Sequence, residues 1–226
     1  MSETVSARTG GICRIVGAGE GFAPFAPLTA QEPGDWLIAA DGGLNAVRAA
    51  GVTPDVVLGD FDSLGRVPEG DNVLRWPEMK DDTDMMLAIR LGLEKGYRVF
   101  YLYGGCGGRL DHTLANLQAL AFLAGQGAVG YLFEGGQTVT CVRNGTVEFP
   151  ALPEGILSAF ALGGTACGIT LEGLLYPLHD GELLPDVPLG VSNHFTGAPA
   201  RVTVKNGTLT LAWDVPLLPA VAQNVF

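Results

Sequence analysis

Between Ile12 and Phe133, short apolar runs alternate with stretches of helical periodicity, and most of the runs stop at a glycine or an acid. The runs are Ile12–Val16, Trp36–Ala40, Asp55–Gly59, Asn72–Trp76, Arg98–Tyr103 and Ala128–Phe133. Helical spacing follows at Leu44–Ala50, which Gly51 is placed to end. It recurs at Met85–Lys95, with Met86, Ile89 and Leu93 on one face, and again through Leu110, Leu114, Leu117 and Ala121 to about Gly125. Strands that alternate with helices demand crossover connections, and so an α/β fold with a parallel sheet. The pattern changes near residue 137. Strand-like runs at Val139–Val142, Ile156–Leu162, Ile169–Leu171, Val202–Val204 and Leu209–Trp213 are then separated by turn residues, with no helical period. The expected architecture is an N-terminal α/β domain over residues 1–136 and a small all-β, sandwich-like domain over residues 137–226. Asn206-Gly207 predicts a hairpin between its two flanking runs, and Pro177 to Pro188 reads as a loop.

In such sheets ligands gather beyond the carboxyl ends of the strands, where this chain places its acids. Val56-Val57-Leu58-Gly59 runs into Asp60-Phe61-Asp62-Ser63. In extended chain the two carboxylates would point the same way, which suits a hard cation such as magnesium. Asp41 follows the second run, Lys80-Asp81-Asp82-Thr83-Asp84 opens a helix, and Gly107-Gly108-Arg109-Leu110-Asp111-His112 follows a glycine loop. If these loops converge, each pair of carboxylates about 5 Å apart repels by roughly 3 kcal/mol at an effective dielectric near 20. A multi-anionic substrate carried on magnesium would relieve that repulsion, with Lys80 and Arg109 as basic contacts. Each acid also has a purely structural reading: Asp111 as a helix cap, Asp60 and Asp62 as turn residues. Gly17-Ala18-Gly19-Glu20-Gly21 half matches a dinucleotide fingerprint, with the third glycine too early, and a plain strand-to-helix turn accounts for it.

Composition narrows the classes further. A net charge of -11, from 24 acidic against 13 basic residues, leaves no basic stripe for a nucleic acid. No apolar run approaches membrane-spanning length, and Met1 to Gly10 is polar. Four cysteines without CxxC spacing read as free thiols in a reducing compartment, so a cytoplasmic protein is expected. There is no GxxxxGK[ST], GxSxG or HExxH.

Five pieces in order resemble the thiamine pyrophosphokinase family: Asp41-Gly42-Gly43-Leu44-Asn45; Pro54-Asp55 leading to Gly59-Asp60-Phe61-Asp62-Ser63; Lys80-Asp81-Asp82-Thr83-Asp84; Gly107 to His112 with Asn116; and Gly190-Val191-Ser192-Asn193. The resemblance implies an α/β catalytic domain, a β-domain for thiamine binding and dimerisation, a homodimer, and magnesium-dependent transfer of pyrophosphate from ATP to thiamine. By that resemblance Asp60, Asp62 and Asp84 hold magnesium and the phosphates. Asp41, Gly42, Lys80, Asp81, Thr83 and Arg109 serve the nucleotide, and Asp111, Ser192 and Asn193 face thiamine. Asp60, Asp62, Asp84, Arg109 and Asp111 form the catalytic set. Met79 and His194 depart from the pattern, each standing where an acid is usual. A phosphatase of the haloacid-dehalogenase type also places Asp-x-Asp after a strand. It wants Thr or Val two residues after the second Asp, where this chain has Leu64. A substrate sensor with a decayed site is the non-enzymatic rival, and a complete acid set argues against it.

Overall fold

β-branched and aromatic runs with no charge to solvate become the inner strands of a parallel sheet, buried on both faces. In the computed structural model, which describes residues 4–5, 10–19, 28–62, 64–65, 67–76 and 82–223, the elements follow in this order. First come β1 (Thr4–Val5), β2 (Ile12–Val16), β3 (Trp36–Ala40), α1 (Gly43–Ala49), β4 (Val56–Gly59) and β5 (Val73–Arg75). Next are α2 (Asp84–Glu94), β6 (Val99–Tyr103), α3 (Leu110–Gly125) and β7 (Val129–Glu134). The remainder is all strand: β8 (Gln137–Arg143), β9 (Gly145–Phe149), β10 (Ile156–Ala161), β11 (Ala166–Glu172), β12 (Leu178–Leu183), β13 (Asn193–His194), β14 (Ala200–Thr203), β15 (Thr208–Trp213) and β16 (Ala220–Gln223). No helix among the described residues is long and apolar enough to cross a membrane.

The chain divides into two compact units: Arg8–Ala119 with Tyr131–Gly135, and Met1–Ala7, Leu120–Gly130 and Gly136–Phe226. The first is the α/β unit. Its strands lie in the order β7-β6-β2-β3-β4-β5, and the β6–β2, β2–β3, β3–β4 and β4–β5 pairs are parallel. The chain builds outward from β2 to β5 and then returns to the other side of β2 with β6. That reversal makes the carboxyl ends of β2 and β6 a topological switch point, where a crevice opens. Every residue of β3 is buried. The one charge inside β2, Arg14, is bonded to Asp35 at 2.9 Å and to the Tyr103 hydroxyl at 3.2 Å, so it is neutralised in place.

The second is the β unit, with sheets ordered β1-β16-β9-β14-β11-β12 and β13-β10-β15-β8. Phe149 on β9 meets Trp213 on β15 edge to face at 5.4 Å, so the two sheets share an aromatic core. Trp213 is buried, and its indole N–H donates to the Leu217 carbonyl at 2.8 Å. An α/β half and a β-rich half are thus both present, as the pattern of the sequence requires, although the compact β unit also takes in the end of α3 from Leu120.

Two local expectations are corrected. Asn206-Gly207 does not close a hairpin: β14 pairs with β9 and β11, whereas β15 pairs with β8 and β10, so the turn carries the chain from one sheet to the other. Asn206 is bonded through both backbone groups to Cys167, and the Gly207 N–H donates to Asn144 Oδ1 at 2.9 Å, so tertiary partners override the local preference. Residues 177–188 are not all loop. Leu178–Leu183 forms β12, paired to β11 across two register shifts, with Asp180 at φ 49° where the edge bends.

Candidate active site

The loops after β2 and β6 meet at the switch point. Gly17 N–H donates to the Tyr103 carbonyl at 2.8 Å and Gly19 N–H to the Gly104 carbonyl at 2.9 Å. This approach requires glycine, since a Cβ at Gly19 would lie 2.4 Å from the Cys106 carbonyl oxygen. Beside these loops lies a cavity of 610 Å³, lined among others by Asp41, Asp60, Asp62, Thr83, Asp84 and Arg109. Its walls combine carboxylates with glycine backbone.

The carboxylates converge for reasons of backbone. Asp41 follows β3 with φ 46°, its N–H held by the Leu58 carbonyl at 2.7 Å. Gly59 packs against it, so a Cβ there would lie 3.1 Å from the Asp41 Cβ. Asp60 and Asp62 are not related by strand alternation, as the sequence reading had it. Phe61 between them is buried with φ 66°, and Asp62 N–H donates to Asp60 Oδ1 at 3.2 Å. The buried ring holds a tight turn that an exposed chain would avoid. One carboxylate oxygen from each of Asp41, Asp60 and Asp62 comes within 4.8 Å of the other two. At that spacing each pair repels by roughly 3 kcal/mol. An all-oxygen donor set of this charge suits a hard divalent cation such as magnesium.

Asp84 lines the same cavity from the first turn of α2, and Thr83 caps that helix by accepting from Met86 N–H at 3.2 Å. Asp82 is bonded to Arg90 at 2.7 Å. Lys80 and Asp81 lie outside the described residues. Gly42 is the residue before α1 and does not line the cavity. Arg109 lines it and is gripped by Asp111 through two bonds, at 3.2 and 2.6 Å. The hydrogen bond and charge of Arg109 hold the Asp111 carboxyl below the usual carboxylate range. Asp111 sits inside α3 rather than capping it.

In the β unit, Ser192 is exposed with φ 58°, and its N–H donates to Ser158 Oγ at 3.1 Å. Asn193 is buried. Its Oδ1 accepts from the N–H groups of Tyr176 and His194, both at 2.9 Å, and its Nδ2 donates to the Tyr176 carbonyl at 2.8 Å. The amide is therefore a clip that fixes Tyr176, whose side chain is exposed. Sequence reasoning passed over Gly17–Gly19 as an ordinary turn; the signal available was a pair of glycines straight after the strand that proves central.

Two family models match the chain, "Thiamin pyrophosphokinase, catalytic domain" over residues 30–128 and "Thiamin pyrophosphokinase, vitamin B1 binding domain" over residues 146–209. The chain belongs to the thiamin pyrophosphokinase family. A curated thiamine pyrophosphokinase of Bacillus subtilis (strain 168) is 36% identical over 89 residues, which span 37% of this chain and 42% of that relative. The sequence match thus spans less than half of that relative's length. Among solved structures, the thiamine pyrophosphokinase of Bacillus subtilis superposes with a TM-score of 0.78 at 22% identity, covering 91% of this chain and 99% of the other. The thiamin pyrophosphokinase of Geobacillus thermodenitrificans gives 0.77 at 25% identity, covering 90% and 97%. The first likeness shows the fold. The catalytic-domain match contains Asp41, Asp60, Asp62, Asp84, Arg109 and Asp111, and the vitamin B1 match contains Ser192 and Asn193.

Proposed function

We propose that this chain is a magnesium-dependent thiamine diphosphokinase, moving the pyrophosphoryl group of ATP to the thiamine hydroxyl and releasing AMP. The observation that carries the reading is the Asp41, Asp60, Asp62 cluster in a cavity walled by glycine loops. A cavity with that much like charge is suited to a polyanion only when cations accompany it.

In this reading the ATP phosphates lie along Gly17–Gly19 and Gly104–Gly108, whose backbone can approach an anion closely. Asp60 and Asp62, with Asp41 beside them, would hold magnesium, and Asp84 faces the same space. Bound magnesium would neutralise charge that develops on the phosphate oxygens. Arg109 leaves Asp111 for the phosphates, where its planar fork can take two oxygens. As it does so, Asp111 returns towards its ordinary basicity beside the reacting groups. The thiamine hydroxyl oxygen forms a bond to the β-phosphorus, the bond from that phosphorus to the oxygen bridging to the α-phosphate breaks, and AMP departs with that oxygen. The hydroxyl proton passes to solvent water in the same step. Lys80, Asp81 and Thr83 belong to the nucleotide side and Ser192 to the thiamine side, which Asn193 serves only through the Tyr176 backbone that it fixes. We assign catalysis to residues 1–136, thiamine recognition and dimerisation to residues 137–226, and the whole to a cytoplasmic homodimer.

Incubation with ATP, magnesium and thiamine, followed by separation of products, tests this. AMP and thiamine diphosphate should appear in equal amounts. Stoichiometric ADP, or an aspartyl-phosphate trapped on the protein, would refute it.

A further inference from the structure

Successive carbonyls at the end of β6 divide between two partners. Those of Tyr103 and Gly104 accept from the N–H groups of Gly17, at 2.8 Å, and Gly19, at 2.9 Å, on the loop after β2. The next, of Gly105, accepts from Asn116 Nδ2 at 2.5 Å and is tied to α3 instead. The glycine loop is thereby pinned on both sides within adjacent peptides. Gly17, Gly19, Gly104, Gly105 and Asn116 all line the cavity.

Asn116 is an uncommon choice for its place. It is the one buried polar side chain of α3, on a face otherwise made by Ala119, Leu120, Leu123 and Ala124. Asn forms helix less readily than Leu or Ala, and a buried amide costs free energy unless it is bonded. An apolar residue would serve the packing of that face. What the amide adds is a donor aimed at one backbone oxygen. Gly105 also has little room to drift, since a Cβ there would lie 2.6 Å from Leu132 Cδ1 on β7 and 3.1 Å from Asn116 Nδ2.

Beyond Gly105 the loop has few restraints of its own. Gly107 and Gly108 have positive φ, at 77° and 80°. The Arg109 carbonyl accepts from the Thr113 N–H at 3.3 Å and from Thr113 Oγ1 at 3.4 Å, so the Arg109 backbone moves with α3. Asn116 stands about two helical turns further along that helix. Its bond to Gly105 therefore closes a ring, out along the loop to Arg109 and back along the start of α3. Gly104 is held by one wall of the cavity and Gly105 by the other, so the closed ring fixes Arg109 relative to Gly17–Gly19. With the bond gone, the glycines become a hinge between β6 and α3.

We propose that Asn116 is a positioning residue: its amide closes the Gly104–Gly108 loop onto α3 and so sets the Arg109 end of the cavity wall against the Gly17–Gly19 end. The inference rests on the reading of this cavity as the ATP site.

The test compares wild type with Asn116→Leu and Asn116→His, reading KM for ATP, KM for thiamine, and amide exchange at Gly19 in the substrate-free protein. Asn116→Leu keeps the apolar face and removes the donor. It should raise the ATP KM on the order of tenfold while leaving the thiamine KM within about twofold. Gly19 exchange should quicken on the order of tenfold, because its acceptor Gly104 adjoins the freed peptide. Asn116→His keeps a nitrogen donor at the same number of bonds from the backbone and should recover most of both changes. Should the leucine variant not fold, Asn116→Ala is judged by the same values. An unchanged ATP KM in the variant without the donor, an equal rise in the thiamine KM, or equal losses in the histidine variant overturns the proposal. So does a raised ATP KM with Gly19 exchange at the wild-type rate, which would make Asn116 a direct ligand of ATP. Absence of turnover in wild type would instead strike the ATP reading. Gly19 exchange then decides the loop closure alone, and rates that are the same in all the proteins reject it.

Discussion

In the α/β unit the carboxylates of Asp41, Asp60 and Asp62 face one another within 4.8 Å, whereas in the β unit the Asn193 amide is bonded back to its own chain through both of its polar atoms. Both are polar motifs at strand ends, and both were legible as candidate site residues. The first arrangement opposes folding, and a bound cation would relieve it. The second supports folding and needs none. Mutation should separate them: loss of charge from the cluster should damage turnover and spare the fold, and loss of the clip should do the reverse.

The largest effect is expected from Asp60→Asn and Asp62→Asn. Each should lower turnover by roughly a hundredfold or more, with metal-free stability unchanged or raised, because removal of one charge relieves repulsion. Near wild-type turnover in either at low magnesium would take that residue out of the metal site. Arg109→Lys comes next. An ammonium cannot reproduce a two-oxygen grip, so ATP KM should rise on the order of tenfold; unchanged kinetics would give Arg109 a structural role.

Asn193→Ala should cost about 1–3 kcal/mol in unfolding free energy, since it leaves the Tyr176 N–H and carbonyl without their partner. A denaturant titration reads this. If stability held and only thiamine KM rose, the clip would be a substrate contact and the contrast between the units would fail there. The smallest effect concerns Asp111, whose carboxyl the Arg109 guanidinium holds below its ordinary range. With a folded value below the unfolded one, the pair's contribution is present at neutral pH and is lost as pH falls through the depressed value. Both side chains are exposed, so the gain is small. Carbon-detected titration of Asp111 should show the low value in wild type and its return upward in Arg109→Gln.

The parallel core was legible because β3 and β6 announce themselves as apolar runs bounded by glycine or aspartate, and periodicity placed α2 and α3 within a residue or two. The β unit was less so. β12 carries His179, Asp180, Gly181 and Glu182, a polar edge strand whose pairing comes from β11 rather than from its own pattern. Asn206-Gly207 has the local chemistry of a hairpin, and only Cys167 and Asn144 divert it. In the site, the acids were visible at strand ends, but their convergence was not. It depends on Phe61 and Asp41 adopting positive φ, which no period in the sequence reports. The role of Asn193 was likewise hidden, because its partner Tyr176 is 17 residues away.

The most direct measurement is thermal unfolding of wild type and Asp62→Asn, each with and without magnesium. Magnesium should raise the wild-type melting temperature. The variant should melt at or above the metal-free wild type and respond weakly to the ion. A wild type indifferent to magnesium, together with a variant less stable than it, would mean that the cluster holds the fold rather than a cation.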